Sequence, residues 1–221
     1  MRTDGHHIVC DLFTPADMRQ LAEHLSHADV DRTKAGARHI LTVPAVRAVA
    51  TDPRMLAVAK SFIVPSAIPF RATLFDKSPD ANWLVVWHQD TALPLRQRND
   101  SPEWGPWSTR GGLLYAHAPA WALEHVVALR VSLDDSLKTN GPLRVLPDSH
   151  RAGVLTEDQI EQRAREVRPV DCLASAGSVV VMRPLTVHAS SKARSDHRRR
   201  VLHIEYATSM NLAAAIDLAV A

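Results

Sequence analysis

The spacing of apolar residues divides the chain into two parts, and the period changes near residue 68. Thr14-Pro15 and Asp52-Pro53 each place a helix-capping residue before a proline, which is a common way for a helix to begin. Apolar residues at helical spacing follow each pair, namely Met18, Leu21, Ala22 and Leu25 and then Met55, Ala59 and Phe62. The first part of the chain is therefore predicted to be helical, with apolar stripes that need another layer to cover.

From residue 68 onward, short runs rich in Val, Leu and Ile alternate with Pro, Gly, Asn and Asp, a pattern typical of strands. Asn140-Gly141-Pro142 and Ala176-Gly177 are turn-forming sequences between such runs. The stretch 156–165 is predicted to be a short helix. The rest is predicted to be a mostly antiparallel β domain with seven strands, at residues 70–76, 84–90, 125–133, 144–146, 167–173, 178–182 and 199–207.

The length of 221 residues suits one domain with a sizeable core. We expect a helical segment of about residues 1–66 packed on a β core of about residues 67–209, with a short apolar tail at residues 210–221. Residues 91–124 form a long insertion that contains Trp104, Trp107 and Trp121. An irregular insertion of this length is unusual in a compact domain, so we expect a lid or pocket wall, although the tryptophans could equally be structural.

Composition excludes several classes of protein. The chain has 26 Lys and Arg against 24 Asp and Glu, a balance too even to indicate a nucleic-acid or membrane partner. The basic run at residues 197–200 is expected to be solvated or to have mixed roles. Cys10 and Cys172 lack the spacing of a disulfide framework or a zinc site. Without a signal peptide or an apolar stretch of about 20 residues, the chain is expected to be soluble and cytoplasmic.

The candidate chemistry begins at Trp87-His88-Gln89-Asp90. Side chains at positions i and i+2 of a strand leave the same face, so His88 and Asp90 could bind one metal ion while Gln89 points away. His188 is a suitable third ligand. Two imidazoles and one carboxylate leave open coordination positions, the arrangement found in non-haem Fe(II) oxygenases. Short strands around such a site predict a mainly β fold with flanking helices, a double-stranded β-helix of the jelly-roll, cupin-like type.

Two other His-x-acid pairs compete with this site. His27 and Asp29 follow a predicted helix in polar sequence and are expected at the surface. His203 and Glu205 lie in correct alternation on a predicted strand, so this pair is the more serious rival. Little β-forming sequence remains after it, and we interpret it as a pocket-lining or core pair.

Arg199 begins the strand that is predicted to return antiparallel beside the segment ending at His188. A guanidinium can hold a carboxylate through two parallel hydrogen bonds, which a lysine cannot match. A dicarboxylate could then bridge the metal and Arg199.

Four motifs in this order resemble the phytanoyl-CoA dioxygenase family of Fe(II)- and 2-oxoglutarate-dependent oxygenases. The likeness covers roughly residues 70–206, and the family usually has Gly where this chain has Asp148. The motifs are WHQD at 87–90, LRVSLDD at 129–135, NGPLRVLPDSHR at 140–151 and the segment 188–199. The 140–151 motif is most simply a turn and strand with a conformational role.

The resemblance implies that His88, Asp90 and His188 bind Fe(II), and that Arg199 pairs with the distal carboxylate of 2-oxoglutarate with help from Ser190. Arg198 and Arg200 would point to the opposite face of the strand. The implied reaction uses O₂, converts 2-oxoglutarate to succinate and CO₂, and hydroxylates a small organic substrate. Retention of Asp90 argues against the halogenating variants of this chemistry.

Two other functions stay open from the sequence. One is a metal-dependent cupin enzyme that does not use 2-oxoglutarate, for which Arg199 would have no role. The other is a binding protein with a vestigial iron site. The identity of the small-molecule substrate and the oligomeric state are not predicted.

Overall fold

The computed structural model describes residues 4–99 and 101–221. Residues 1–3 of the predicted helical segment and Asp100 of the insertion lie outside the described residues. The strands are β1 His6–Val9, β2 Arg32–Thr33, β3 Gly36–Arg38, β4 Ile68–Lys77, β5 Val85–His88, β6 Ala92–Leu95, β7 Trp107–Arg110, β8 Leu113–His117, β9 Val126–Ser132, β10 Leu143–Val145, β11 Val170–Cys172, β12 Val179–Met182, β13 His188–Ser190, β14 Arg199–Ala207, β15 Asn211–Ala213 and β16 Ile216–Asp217. The helices are α1 Pro15–His27, α2 Pro44–Ala50, α3 Pro53–Lys60, α4 Ala120–Glu124 and α5 Glu157–Glu166, with a 3-10 turn at Ser149–Ala152.

The predicted helix starts are confirmed, because each is fixed by local capping. The Thr14 hydroxyl accepts a hydrogen bond from the Asp17 backbone N–H, and the Asp17 carboxylate accepts one from the Thr14 N–H. Asp52 caps α3 through the Arg54 backbone N–H. Thr156 begins α5 with a second reciprocal capping box.

Two antiparallel sheets face each other and confirm the jelly-roll prediction. The larger sheet has the order β1-β12-β9-β14-β4-β3-β2, and the smaller has the order β11-β10-β13-β5. All seven predicted strands are present within these sheets, with ends that differ by no more than three residues. Every residue of β9 and β12 is buried, because both faces of the larger sheet are covered.

Apolar clusters fill the two sides of the larger sheet. On the outer side, residues of α1, α2 and α3 pack with Leu129, Leu202 and Ile204 of the sheet. Between the sheets, Ala128 and Met182 belong to a cluster with residues of β10 and β11. Side chains alternate along a strand, so the residues next to Leu202 and Ile204 face the smaller sheet.

Residues 91–124 are not an irregular loop as the sequence suggests. They contain a three-stranded sheet in the order β6-β8-β7 and the short helix α4. Trp104 is buried in an apolar cluster with Leu93 and Leu123. These strands are only four or five residues long, so their pairing depends on contacts that a local pattern does not reveal.

The remaining differences lie at the edges of the fold. The N-terminal segment contributes β1, which pairs with β12, and the β2–β3 hairpin, which pairs with β4, in addition to its helices. The apolar tail lies against its own subunit, where the Ala221 N–H donates to the Phe70 carbonyl and the Ala221 carbonyl accepts from Ala72. In the described part of the chain, no helix is both long enough and apolar enough to cross a membrane.

Candidate functional site

The structure brings His88, Asp90 and His188 together at one end of the smaller sheet. His88 ends β5, His188 begins β13, and the two residues are paired across these strands. The Asp90 carboxylate oxygens lie 3.7 Å from His88 Nε2 and 3.5 Å from His188 Nε2. One potential ligand atom from each residue lies within 4.8 Å of the others, the sole such group of three found among the described residues. A single divalent ion could contact all three side chains.

Both histidines are oriented as metal ligands. His88 Nδ1 lies 2.8 Å from the Val86 carbonyl oxygen, and His188 Nδ1 lies 2.9 Å from that of Thr186. A carbonyl accepts only from a protonated Nδ1, which leaves the Nε2 lone pair free for a metal. Burial lowers the pKa of His188 to about 4, so its imidazole is neutral near pH 7. The donor set therefore fits Fe(II), which binds neutral imidazole and carboxylate.

The residue between the two WHQD ligands positions the motif. Gln89 points away from His88 and Asp90, as strand alternation predicts, and it is buried. Its amide donates to the carbonyls of Gly153 and Leu185 and accepts from the Leu155 N–H. The Asp90 backbone N–H donates to the Pro184 carbonyl. Burial opposes ionisation of Asp90, but basic neighbours, His188 first, hold the pKa of its carboxyl below the usual value.

Arg199 lies near the three candidate ligands, but by a route that differs from the prediction. The strand β14 does not pair with β13: it lies between β9 and β4 in the larger sheet, while β13 pairs with β10 and β5. Residues 191–198 therefore cross from one sheet to the other. Arg199 then faces Ser190 across the gap between the sheets, with Nη2 3.4 Å from Ser190 Oγ. The expectation that Arg199 lies near the strand of His188 is correct, but the expected pairing of the two strands is wrong.

A second buried cation, Lys77, lies beside Arg199. The two residues are paired across β4 and β14, and Lys77 Nζ donates to Ser190 Oγ at 2.9 Å and to the Ser191 carbonyl at 2.6 Å. Neither Lys77 nor Arg199 contacts a carboxylate among the described residues. Burial, together with the charge of Arg199, lowers the pKa of Lys77 to about 8. Burying two cations without an anionic partner is unfavourable, and an anionic ligand could compensate for it.

Sequence reasoning missed Lys77. The usable signal is strand alternation, which puts Lys77 on the face of β4 that lines the cavity. A lysine is almost never fully buried without a partner. Arg198 and Arg200 behave as expected and point away from the pocket. Arg198 pairs with Asp76, and Arg200 pairs with Asp134.

The turn that follows β9 supports the guanidinium. Arg199 Nε donates to the Asn140 carbonyl, and Asn140 holds the turn through the Leu137 N–H and the Asp135 carbonyl. Gly141 has a positive φ, and a Cβ there would overlap the Ser191 carbonyl. Asp148 has φ 60° and ψ 0°, a left-handed conformation that Asp tolerates and that Gly adopts without strain. These contacts agree with a conformational role for the 140–151 motif.

The rival pair, His203 and Glu205, lines the pocket but has other partners. Arg71 holds the Glu205 carboxylate through two hydrogen bonds. His203 Nδ1 lies 2.9 Å from Arg130 Nη1, so it accepts from the guanidinium, which has no acceptor. Each member of this pair is therefore hydrogen-bonded to an arginine. The other pair is at the surface, where His27 and Asp29 are exposed.

The candidate ligands open into a cavity of about 640 Å³ between the two sheets. The insertion contributes Tyr115 and His117 to its wall, which agrees with the pocket-wall expectation. Five arginines and two carboxylates line the cavity. The five are Arg38, Arg71, Arg110, Arg130 and Arg199.

Comparison with known proteins identifies related folds and one family. The family model of phytanoyl-CoA dioxygenase (PhyH) matches residues 1–201. A search of curated proteins finds no significant match.

Several solved structures are similar to the chain. EctD from S. alaskensis with 2-oxoglutarate and 5-hydroxyectoine has a TM-score of 0.70 at 19% identity, covering 93% of this chain and 72% of that one. HygX from Streptomyces hygroscopicus with nickel and 2-oxoglutarate bound has a TM-score of 0.67 at 14% identity, covering 94% and 84%. AviO1 from Streptomyces viridochromogenes Tue57 has a TM-score of 0.66 at 20% identity, covering 93% and 90%. At these identities the likeness shows the fold.

Proposed function

Because the chain belongs to the phytanoyl-CoA dioxygenase family of Fe(II)- and 2-oxoglutarate-dependent oxygenases, we propose that it hydroxylates a small organic metabolite at iron bound by His88, Asp90 and His188. The observation that supports these ligands most strongly is the convergence of two Nε2 atoms and one carboxylate within 4.8 Å. The bound iron would supply the activation of O₂, coupled to conversion of 2-oxoglutarate to succinate and CO₂.

The protein's own residues hold the ligands ready before iron binds. The carbonyls of Val86 and Thr186 fix the tautomer of the two imidazoles, so no proton has to leave Nε2 when the metal arrives. Gln89 ties the motif to the loop around residue 153 and keeps the carboxylate of Asp90 directed at the imidazoles. Such partners of metal ligands typically contribute 10- to 100-fold to metal affinity.

In this proposal, Arg199, Lys77 and Ser190 bind the distal carboxylate of 2-oxoglutarate. Arg199 offers a planar pair of donors, Lys77 adds a second positive charge, and the Ser190 hydroxyl lies between them. The co-substrate would supply the negative charge that these two buried cations lack. A cupin enzyme that does not use 2-oxoglutarate offers no reason to bury them.

The substrate would enter the cavity between the sheets, into which the candidate metal ligands open. We propose that the protein acts in the cytoplasm, since Cys10 and Cys172 are both free, the first exposed and the second buried. No nucleic-acid or membrane partner is part of this proposal.

The test begins with purified protein loaded anaerobically with Fe(II) and then given 2-oxoglutarate. We expect the weak visible charge-transfer band of the iron chelate, followed by slow succinate release when O₂ is admitted. Arg199→Ala should abolish the band at the 2-oxoglutarate concentration that saturates the wild type. A band that survives this substitution unchanged would favour the enzyme without 2-oxoglutarate, and failure to bind iron would favour the non-catalytic binding protein.

A further inference from the structure

Arg130 is a buried positive charge that forms no ion pair with a carboxylate of the described residues. It lies in the middle of β9, its residue is 8% exposed, and its guanidinium lies 5.1 Å from the centre of the Phe75 ring. Its hydrogen-bond partner among the described residues is His203 Nδ1. Burial and the nearby charge of Arg130 lower the pKa of His203 well below its usual value, so this partner is neutral.

The other buried charged groups in and beside the cavity have partners within the proposed function. Glu205 neutralises Arg71. The charge of a bound metal would be balanced by Asp90 and by the metal-binding end of 2-oxoglutarate, while Arg199 and Lys77 would take the distal carboxylate of that co-substrate. Arg130 is then the buried cation that the metal, the co-substrate and the protein together leave uncompensated. A charge of this kind costs several kcal/mol to bury unless an anion joins it.

The mouth of the cavity has the same sign of charge. Arg38 and Arg110 are exposed, line the cavity, and form no ion pair within the part of the chain that the structure describes. The guanidinium of Arg110 lies 5.3 Å from the centre of the Tyr115 ring, at the wall formed by the insertion. A cleft lined by one sign of charge concentrates ligands of the opposite sign and speeds their entry.

We propose that the primary substrate is an organic anion whose carboxylate binds Arg130, and that Arg38 and Arg110 attract it to the mouth of the cavity. This inference rests on the proposed function and names the chemical class of its substrate. Arg130 would hold the carboxylate through its guanidinium N–H groups that do not bond His203. The alternative source of a carboxylate for Arg130 is 2-oxoglutarate itself, and the experiment separates the two.

The probes are two matched pairs of small molecules: hexanoate with hexanamide, and phenylacetate with phenylacetamide. Binding to Ni(II)-loaded protein saturated with 2-oxoglutarate is measured by ligand-detected NMR. We expect each acid to bind more tightly than its amide. Arg130→Met should weaken acid binding at least about tenfold, the loss expected for a hydrogen bond to a charged group, while the affinity for 2-oxoglutarate changes by less than about threefold.

Two controls guard against an effect on folding. Arg130→Lys keeps the charge and should retain much of the preference for the acid, and Arg168→Gln, an exposed residue outside the cavity, should change nothing. Arg38→Gln with Arg110→Gln should slow association of the acids mainly at low salt. Circular dichroism melting confirms that each variant is folded.

The inference is wrong if the acids bind no better than their amides, or if Arg130→Met weakens 2-oxoglutarate tenfold and leaves the acids unaffected. That second outcome would assign Arg130 to the co-substrate. Either result leaves the proposed function intact as long as the wild-type Fe(II) protein shows the 2-oxoglutarate band. Absence of that band in the wild type would instead contradict the proposed function.

Discussion

The two faces of strand β14 are equally buried and opposite in chemistry. Leu202 and Ile204 point toward the helices and belong to an apolar cluster in which both are fully buried. Arg199, His203 and Glu205 point toward the smaller sheet and are each no more than 4% exposed. Burial by itself therefore does not tell a stabilising face from a functional one.

The difference lies in what burial costs on each side. Removing an apolar side chain from water favours folding, whereas removing a charge opposes folding unless a partner compensates. Glu205 has such a partner in Arg71, but Arg199 and its neighbour Lys77 have none among the described residues. Burial of these unpaired charges is best explained by anionic ligands that compensate them when bound.

The largest effect on stability should come from the apolar face. Leu202→Ala leaves a cavity against the helices and should lower the free energy of unfolding by about 2–5 kcal/mol. Urea denaturation of the metal-free protein measures the change. Val86→Ala is the matched control, since Val86 is 68% exposed on β5, and it should change stability by less than about 0.5 kcal/mol. Equal effects at the two sites would contradict the distinction between the faces.

On the charged face, Glu205→Gln should lower the free energy of unfolding by about 3 kcal/mol, because Arg71 would keep a buried charge without a counter-charge. Iron affinity should stay within about threefold of the wild type by anaerobic calorimetry. The double variant Arg71→Met with Glu205→Leu removes both charges and should recover most of the stability. Loss of iron binding by folded Glu205→Gln would move the metal site to His203.

Asp90→Ala should have the opposite effects to Glu205→Gln, with weaker iron binding and little change in stability. It should reduce Fe(II) affinity by more than about 100-fold. Loss of a hydrogen-bond partner of a metal ligand typically costs up to about 100-fold in affinity, and loss of the ligand itself should cost more. The melting temperature of the metal-free protein should change little, because Asp90 is partly exposed and lies outside the apolar clusters. Anaerobic Fe(II) titration of Asp90→Ala and Glu205→Gln compares their iron affinities, and thermal melting of the metal-free proteins compares their stabilities. Normal iron binding by Asp90→Ala would contradict the proposed site.

The same contrast explains how far the sequence could predict the molecule. The helix starts at Pro15 and Pro53 depend on capping within three residues, so they can be predicted from local sequence. The strand β14 follows from simple alternation, and its predicted bounds match those observed. Alternation also predicts that His88 and Asp90 point the same way, and their side chains do converge although β5 ends at His88. Local rules are enough for these features.

Other features depend on contacts between distant parts of the chain. Lys77 and Arg130 are ordinary basic residues in the sequence. They become candidate ligand-binding groups because the larger sheet pairs Lys77 with Arg199 and Arg130 with His203. The partners of β14 could not be predicted because residues 191–198 cross between the sheets. The strands inside residues 91–124 form a small sheet of their own, and β6 also bonds to the C-terminal tail; no period-two pattern in the sequence predicts them.

The smallest expected effect concerns the pH dependence of 2-oxoglutarate binding. Burial lowers the pKa of Lys77 to about 8 in the ligand-free protein, whereas that of Arg199 is lowered only to about 10. A bound carboxylate favours the protonated amine, so binding takes up a proton once the pH exceeds about 8. Affinity should therefore be nearly constant below pH 7.5 and fall by up to about tenfold between pH 7 and pH 9.

Calorimetry of Ni(II)-loaded protein at pH 7, 8 and 9 measures this slope, and Lys77→Met supplies the comparison. The variant should bind 2-oxoglutarate more weakly at pH 7 and lose most of the pH dependence, because the group that titrates is gone. Hydroxide competition at the metal affects both proteins equally, so the difference between their slopes belongs to Lys77. If the affinity of the wild type falls with pH no more steeply than that of Lys77→Met, Lys77 does not gain a proton when 2-oxoglutarate binds. The charged face would then contribute a single cation, Arg199, to the distal carboxylate.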